Sequence, residues 1–250
     1  MDKHIFSVFK LTRALTMFSI LVVLGVSIYS AFIAFDRISY RLASSDAVNQ
    51  QNLPLIIVDS GHGGEDGGAV SKSGIVEKGI NLNIGKDLEK LFQFFGFDTL
   101  MTRSEDKLIY DDWAKNIREK KVSDIHNRYK MITDNPNCIF LSIHQNFYEG
   151  KATPGTQTFY SRNNPLSEKV AQYIQDAIRV DLQNNNKKQV KKSGKEIYLL
   201  YHSASPAVMV ECGFLSEESE ARLLNTEEYQ KQLAFDIFKG TYNYLKDNGG

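Results

Sequence analysis

The chain has 250 residues, of which 42% are hydrophobic and 24% charged, and its 30 basic residues balance its 30 acidic ones. This length accommodates one globular domain of roughly 200 residues and one additional element. Residues 1–35 hold three Lys or Arg and one Asp, so residues 36–250 carry 27 basic and 29 acidic side chains, a net charge of −2. This charge argues against nucleic acid as the main partner.

The first predicted element is a transmembrane helix over residues 14–35, a run of 22 residues without a charged side chain. At a rise of about 1.5 Å per residue, this run is long enough to cross a hydrocarbon core of roughly 30 Å. Three basic residues precede it, so the positive-inside rule predicts that residues 1–13 are cytoplasmic and that the rest is extracytoplasmic. An uncleaved anchor is favoured over a cleaved signal peptide, which would leave a secreted protein, because the apolar run is longer than that of a signal peptide.

A polar tether over residues 36–53 is predicted to connect this helix to a folded domain over residues 54–247. The domain begins with a short apolar run, Leu55 to Val58, which indicates a strand buried on both faces. A helical pattern from Gly79 to Phe95 follows, and Asp98 to Met101 is the next strand candidate. These elements predict one β-α-β unit.

Strand and helix candidates also alternate along the rest of the domain. This alternation predicts a single α/β domain with a mostly parallel, twisted sheet of about six strands flanked by helices. A charged loop is expected over residues 103–121, and a polar loop over residues 183–195. We expect the lysines of the second loop to be solvated rather than bound to an anionic polymer. The further strand candidates are residues 138–143, 155–160 and 207–210, the helix candidates are residues 122–133, 165–182, 216–224 and 226–245, and the loop lysines are residues 187, 188, 191, 192 and 195.

Four side chains suited to metal-assisted hydrolysis lie beside these predicted elements. His62, His144 and Glu211 each follow a predicted strand, and Glu77 precedes the first helix of the domain. Because the carboxyl ends of parallel strands open into one crevice, we expect these side chains to converge. Two imidazoles and one carboxylate are a recurring ligand set for catalytic Zn²⁺. A second carboxylate that does not bind the metal must then transfer protons, and Glu211 is the candidate for that role.

The Gly-rich turn of residues 61–68 has the composition of a phosphate-binding loop but not its sequence pattern. It matches neither GxGxxG nor GxxxxGK[ST], and Glu65 and Asp66 would repel a phosphate. Its glycines favour a sharp turn beside a metal instead. For His126, on a predicted helix, and for His202, near the last predicted strand, a structural role is favoured over a contact with substrate.

The two cysteines, Cys138 and Cys212, fit no CxxC pattern and are too few for a disulfide framework. Both lie in apolar runs typical of strands, where a buried free thiol is the commoner state. We therefore expect two free thiols rather than one disulfide.

Four segments resemble, in order and in spacing, the motif blocks of the zinc-dependent N-acetylmuramoyl-L-alanine amidases of the cell-wall hydrolase class. They are IIVDSGHGGEDGGA, IVEKGINL, FLSIHQN and AVMVECGFLS, within a resemblance that covers about residues 54–247. The resemblance implies that His62, Glu77 and His144 bind the zinc ion. It implies further that Glu211 is the catalytic carboxylate and that the substrate is the amide bond between muramic acid and L-alanine in peptidoglycan.

More narrowly, the chain is similar to the germination-specific amidases of spore-forming bacteria. A single N-terminal apolar segment, the segment IREKKVSDIHNRYKMI and the lack of a wall-binding repeat carry this similarity. It implies removal of stem peptides from the spore cortex, which prepares muramic acid for conversion to muramic-δ-lactam by a separate deacetylase. The expected place is the extracytoplasmic side of a forespore membrane, with control by a partner protein or by the timing of expression. Gln145 and Glu217 differ from the residues common in relatives, which bears on substrate fit more than on chemistry.

Two other functions stay open at this point. A membrane-anchored protein that binds peptidoglycan without turnover would keep the zinc fold, but it has no need for Glu211. A zinc carboxypeptidase acting on stem peptides shares the metal chemistry, but such enzymes usually place the first histidine and glutamate three residues apart. His62 and Glu77 are fifteen residues apart, so we favour the amidase.

Overall fold

The computed structural model describes two compact units, Met1–Ala47 and Val48–Gly250. The described residues are 17, 20, 23–27, 29–30, 33, 53–150 and 153–248, and those of the first unit are helical. Among the described residues, no helix has both the length and the hydropathy needed to cross a membrane. The predicted cytoplasmic segment over residues 1–13 lies outside the described residues, as do the predicted tether apart from Leu53 and much of the predicted helix over residues 14–35.

The second unit is built on a sheet of six strands: β1 (Leu55–Ser60), β2 (Thr99–Met101), β3 (Cys138–Asn146), β4 (Gln157–Tyr160), β5 (Lys191–Lys192) and β6 (Ala207–Phe214). Their order across the sheet is β2-β1-β3-β6-β4-β5. β1, β2, β3 and β6 run parallel, whereas β4 is antiparallel to β6 and parallel to β5. The predicted α/β domain with a mostly parallel sheet of six strands is therefore confirmed.

Helices cover both faces of this sheet. The helices described in this unit are α1 (Glu77–Phe94), α2 (Ile117–Thr133), α3 (Leu166–Asp181), α4 (Tyr198–His202), α5 (Glu218–Leu224) and α6 (Glu227–Asn248). α1, α3 and α6 bury Leu88, Ile174 and Ile237 against Ile56 and its neighbours on one face. These apolar side chains recur at helical spacing, so each helix buries one stripe and leaves the opposite side exposed.

The other face of the sheet is covered by α2 and α4. Ile132 of α2 and Leu200 of α4 pack against Ile57 and Phe140 of the sheet. This second core contains fewer apolar residues than the first, because polar and charged side chains occupy much of the inner side of α2. The space between α2, α4 and the carboxyl ends of the parallel strands holds the candidate site described below.

The N-terminus of α2 differs from the prediction. The helix begins at Ile117, so the predicted loop over residues 103–121 is wrong in its last five residues. Asn116 accepts a hydrogen bond from the backbone N–H of Glu119 at 3.0 Å, and the Glu119 carboxylate accepts one from the Asn116 N–H at 3.4 Å. This reciprocal pair is a capping box, which stabilises the first turn through polar groups, and a pattern of apolar periodicity does not detect it.

The ends of the two central strands also differ from the prediction. β3 continues to Asn146 and β6 to Phe214, so His144 and Glu211 lie within strands rather than after them. The parallel ladder continues because His144 and Glu211 are paired in register, and only beyond them does the register shift. Glu77 is likewise the first residue of α1 rather than a residue ahead of it.

Both cysteines are buried and free, as predicted. Cys138 belongs to the core beneath α2, whereas Cys212 belongs to the core on the opposite face of the sheet. The sheet itself therefore separates the two thiols.

A close approach of α6 to α3 at Gly240 predicts the effect of a substitution on stability. A Cβ atom added to Gly240 would lie 2.5 Å from Ile174 Cα and 2.7 Å from Tyr173 O, which are backbone atoms that cannot rotate away. We expect Gly240→Ala to lower the free energy of unfolding by about 1–3 kcal/mol, because the helices must move apart. Urea unfolding followed by circular dichroism measures the change.

The matched control for this substitution is Gly79→Ala. A Cβ atom at Gly79 in α1 meets nothing within 4 Å. Alanine favours the helix over glycine by up to about 1 kcal/mol, so this variant should be no less stable than the parent. Equal stability of Gly240→Ala and the parent would contradict the close approach of the two helices.

Candidate metal centre

The turn after β1 places His62 in a backbone conformation that favours glycine. His62 has φ of 62°, and Gly63 and Gly64 follow with φ of 140° and 54°. A reciprocal pair of 2.9 Å hydrogen bonds between the backbones of Gly63 and Asp66 closes the turn. A left-handed conformation costs a residue with a side chain about 1 kcal/mol or more, so contacts elsewhere must hold His62 in it.

Two buried arginines supply those contacts by binding the carbonyl groups of the turn. Arg128 of α2 donates from Nη1 to Ser60 O and from Nη2 to His62 O, each at 2.9 Å. Arg103, which follows β2, donates from Nε to Ser60 O at 2.8 Å and from Nη2 to Gly61 O at 2.9 Å. Three consecutive carbonyl oxygens therefore face guanidinium groups, and the backbone on both sides of His62 is fixed.

Arg128 is itself balanced by two carboxylates. Its Nη1 lies 2.6 Å from Asp59 Oδ1, and its Nε lies 2.7 Å from Asp124 Oδ2. Burial raises the pKa of Asp59, but the Arg128 charge and hydrogen bonds from Ser142 and Thr102 hold that pKa below its usual value. Asp59 therefore stays ionised beneath the turn and keeps the guanidinium in place.

His62, Glu77 and His144 converge beside the turn that the two arginines hold. Glu77 Oε2 lies 3.3 Å from His62 Nε2, and Glu77 Oε1 lies 3.0 Å from His144 Nδ1. One ligand atom from each side chain falls within 4.8 Å of the other two, which is close enough for one metal ion to be shared. The imidazole rings stand edge to face, with centroids 4.9 Å apart.

The Glu77 carboxylate is held by N–H groups as well as by the histidines. Oε1 accepts from the backbone of Gln145 at 3.0 Å and from Asn81 Nδ2 at 3.1 Å, and Oε2 accepts from Ala69 N at 2.8 Å. Burial raises the pKa of Glu77, but hydrogen bonds from both histidines and their charges hold it far below its usual range. Glu77 is therefore a fixed, permanently charged group between two imidazoles.

Two glycines provide the space that these side chains occupy. A Cβ atom at Gly61 would collide with the His144 ring, and one at Gly68 would lie 2.5 Å from Glu77 Oε2 and 2.7 Å from His62 Cδ2. The Gly-rich turn predicted from the sequence thus packs its backbone directly against the candidate ligands. Together with the donor set of two imidazoles and one carboxylate, this arrangement fits a metal ion.

Glu211 lies beside this group on the neighbouring strand. It is the register partner of His144, and both residues line a cavity of about 260 Å³ that also contains His62. Within the described part of the chain, Glu211 Oε2 is buried without a hydrogen-bond partner. Burial raises the pKa of Glu211 to about 7, while the neighbouring histidines lower it. The carboxyl group can therefore gain or lose a proton near neutral pH.

Asp66 is a functional candidate that the sequence analysis missed. Its Oδ2 lies 2.8 Å from His62 Nδ1, and its Oδ1 accepts from Lys121 Nζ of α2 at 3.0 Å. A carboxylate on the far nitrogen of an imidazole fixes the ring tautomer and directs the other nitrogen to a metal. An acidic residue four positions after His62 in the turn was the available signal, but it was considered only as a group that repels phosphate.

The two histidines for which the sequence favoured a structural role lie outside this group. His126 and His202 both pack against Tyr198, with ring centroids 5.5 Å and 4.4 Å from it. Tyr198 lines the cavity, whereas neither histidine does. Among the described residues, the four side chains singled out for metal-assisted hydrolysis are the ones that the structure brings together.

The sequence profile of the N-acetylmuramoyl-L-alanine amidase family (Amidase_3) matches residues 56–243. The chain belongs to this amidase family. The resemblance to N-acetylmuramoyl-L-alanine amidases inferred from the four motif blocks is thereby confirmed. The matched residues include β2 to β6, all of β1 except Leu55, and the four candidate site residues.

Individual relatives of this amidase agree with the family assignment. The germination-specific N-acetylmuramoyl-L-alanine amidase of Bacillus subtilis (strain 168) is 35% identical over 214 residues, which cover 84% of this chain and 89% of that protein. The structure of the CwlD amidase from Clostridioides difficile, in complex with the GerS lipoprotein, has a TM-score of 0.75 and 36% identity, covering 78% of this chain and 100% of that one. An N-acetylmuramoyl-L-alanine amidase from Clostridium difficile 630 has a TM-score of 0.68 and 28% identity, covering 80% and 100% of the two chains.

The contact between Asp66 and His62 predicts an effect on metal affinity. We expect Asp66→Asn to weaken Zn²⁺ binding by about 10- to 100-fold, because the amide no longer fixes the imidazole with a negative charge. Competition with a chromophoric chelator measures the dissociation constant. The control is Glu65→Gln, since Glu65 forms an ion pair with Lys120 in the same way but does not contact His62. Equal weakening by both variants would show that the effect is one of general surface charge.

The protonation of His62 predicts a pH dependence of metal binding. Burial lowers the pKa of His62, but the Asp66 and Glu77 carboxylates raise it to about 9 in the metal-free protein. The ring is then protonated at pH 7, whereas a metal ion requires the neutral ring. Apparent Zn²⁺ affinity should therefore rise about tenfold per pH unit from pH 6 to pH 8.

Calorimetry in two buffers with different ionisation enthalpies measures the protons released when Zn²⁺ binds. At least one proton per ion should be released at pH 7. A release close to zero at that pH would mean that the histidine is already neutral.

Proposed function

We propose that this amidase uses Zn²⁺ to hydrolyse the amide bond between N-acetylmuramic acid and L-alanine in peptidoglycan. The observation that carries the proposal is the convergence of His62, Glu77 and His144 beside Glu211, whose buried carboxyl oxygen has no partner among the described residues. Membership of the amidase family identifies the class of bond that such a group would cleave.

His62, Glu77 and His144 would hold the zinc ion. Two imidazoles and a carboxylate form a common ligand set for catalytic zinc, and they leave a position for water or substrate. When bound, zinc lowers the pKa of a water molecule to about 7 and polarises a substrate carbonyl. The N–H groups that bind Glu77 preserve its negative charge, so the protein contributes one charge to balance the ion.

Glu211 would accept the proton of the attacking water and pass it to the departing nitrogen of L-alanine. A group in this role works best when its pKa lies near the operating pH. Burial raises the pKa of Glu211 to about 7 in the metal-free protein. The positive charge of a bound ion would favour the carboxylate form that accepts a proton. Its place in the register opposite His144 keeps it next to the proposed metal ligands without making it one of them.

The alternative functions are less well supported by the same observations. A protein that binds peptidoglycan without turnover has no need for a buried carboxyl group such as that of Glu211, whose Oε2 has no hydrogen-bond partner among the described residues. A carboxypeptidase would use the same metal chemistry on a different bond, and only the identity of the new amine distinguishes the two enzymes. The family match favours cleavage at muramic acid.

We also propose a role in the spore cortex, because the relatives include the germination-specific amidase of Bacillus subtilis. Removal of stem peptides there would prepare muramic acid for conversion to muramic-δ-lactam. The catalytic domain would lie outside the cytoplasmic membrane, in the forespore intermembrane space, anchored through residues 14–35. The complex of the Clostridioides difficile relative with a lipoprotein supports a partner protein for this chain as well.

The experiment that tests the proposed chemistry is Glu211→Gln in the purified full chain. We expect kcat to fall by about 10²–10⁴-fold, because the amide cannot transfer protons. The zinc content should stay at one ion per chain, because Glu211 is not a proposed ligand. Peptide release from peptidoglycan and metal analysis of the same samples give the two values.

Identification of the new amine completes the test. The parent enzyme should release peptides that begin with a free L-alanine amino group, whereas a carboxypeptidase would release a C-terminal residue. A glutamine variant that cleaves as fast as the parent would exclude Glu211 as the proton carrier.

A further inference from the structure

The polar segment between α3 and α4 carries five lysines that the proposed chemistry does not use: Lys187, Lys188, Lys191, Lys192 and Lys195. Several lysines elsewhere in the domain form salt bridges, as Lys78 does with Asp106 and Lys239 with Asp181. In the described ranges, none of the five segment lysines forms a salt bridge with a carboxylate, although Glu220 exerts a longer-range attraction on Lys188. Residues 36–250 carry a net charge of −2, so a concentration of positive charge without counterions in this segment needs an explanation.

One of the five lysines has a structural role. Lys188 Nζ donates to the carbonyl oxygens of Thr153, Pro154 and Gly155 at 2.5 Å, 2.6 Å and 2.8 Å. It also lies 4.8 Å from the centre of the Phe214 ring. These contacts consume its donors and hold the segment against the turn before β4. The other four lysines are exposed and remain available.

The segment forms one side of a groove of about 460 Å³. Lys187 and Lys191 line this groove together with Gln157, Asn185 and Gln189. The amides of Gln157 and Gln189 each donate one N–H to a backbone carbonyl of the segment, and each has a second N–H. Ammonium and amide groups are hydrogen-bond donors to carboxylates. The chemistry of the lining therefore suits an extended ligand that carries carboxylate groups.

The groove lies next to the catalytic cavity. Gln157 of β4 is the register partner of Glu211 on β6, and neighbouring strands are about 4.8 Å apart. The chain that leaves the groove continues through β5 to residues 196–199, which line the catalytic cavity. An extended peptide advances about 3.3–3.6 Å per residue, so a peptide whose first amide lies at Glu211 reaches the groove within its next few residues.

We propose that the groove lined by Lys187 and Lys191 binds the carboxylates of the stem peptide that is cleaved from muramic acid. The inference rests on the proposed function, because it takes the scissile bond to lie between Glu211 and the metal ligands. Stem peptides are short and carry free carboxylates beyond the first residue, which matches the distance and the charge of the groove. The enzyme would then recognise the acidic peptide on one side of the bond and leave the glycan to other surfaces.

The test is Lys187→Gln/Lys191→Gln, which removes the two charges while keeping a polar side chain at each position. Two exposed ion pairs lost together should raise KM for soluble peptidoglycan fragments by about 3- to 10-fold, with kcat within about twofold of the parent. The difference in KM should disappear in about 1 M salt, where charges more than roughly 3 Å apart are screened. An unchanged KM at low salt overturns the proposal and leaves the lysines as protection of the exposed sheet edge formed by β5.

The matched control is Lys72→Gln/Lys169→Gln, which removes the same charge from two exposed positions, one in the loop before α1 and one on α3. Neither of these lysines lines the groove or the catalytic cavity. KM of the control should equal that of the parent. An equal rise in both double variants overturns the proposal in favour of a general effect of net charge.

Binding without turnover distinguishes this inference from the proposed function. Co-sedimentation with insoluble peptidoglycan is measured for Glu211→Gln with and without the Lys187 and Lys191 substitutions. Weaker sedimentation of the combined variant supports the groove even if the cleaved bond is assigned wrongly, and equal sedimentation overturns it. The released amine, measured on the parent, reports on the proposed function alone.

Two altered substrates identify which anion is bound. Peptidoglycan whose stem-peptide carboxylates have been converted to amides should bind the parent as weakly as the double lysine variant binds the normal substrate. Peptidoglycan stripped of phosphate-bearing wall polymer should leave the effect of the lysines intact. Loss of the lysine effect after stripping overturns the proposal and identifies the wall polymer as the ligand.

Discussion

The turn that carries His62 points its carbonyl oxygens inward, toward Arg103 and Arg128, rather than outward to solvent. A buried carbonyl without a donor is costly, and a guanidinium group has five N–H donors that need acceptors, so each satisfies the other. His62 adopts its left-handed conformation because its neighbours are held in this way. The position of the first imidazole is therefore set by side chains from α2 and from the loop after β2, far away in sequence.

Charged side chains of alternating sign form a connected series around the turn that carries His62. Lys121 binds Asp66, Asp66 binds His62, and Glu77 lies between the two imidazoles. Each contact favours the charged or polarised form of its neighbour, which is why the pKa values of the carboxylates in this series are low. Glu211 is outside the series and is governed by burial instead. The site thus keeps one group of acidic side chains ionised while a nearby carboxyl group can exchange a proton.

The fold and the four clustered side chains could be predicted from local patterns. Apolar runs mark the buried strands, and parallel strands bring their carboxyl ends together, so His62, His144 and Glu211 were expected in one crevice. The start of α2 was missed because a capping box, not an apolar stripe, stabilises it. Arg103 and Arg128 were missed because their roles depend on partners 42 to 68 residues away, which no local pattern encodes. Asp66 has a local signal, its place four residues after His62, but the contact between the two side chains depends on the geometry of the turn.

The sheet lies between Cys138 and Cys212, and each sulfur is enclosed in a separate apolar core. Burial raises the pKa of both thiols, which keeps them in the unreactive protonated form. A disulfide requires the two Cβ atoms to face each other at about 4 Å, and a backbone layer prevents that here. The folded domain thus keeps the same two free thiols in oxidising and in reducing surroundings. It needs no oxidising partner to mature, and it can work in an oxidising compartment without cross-linking itself.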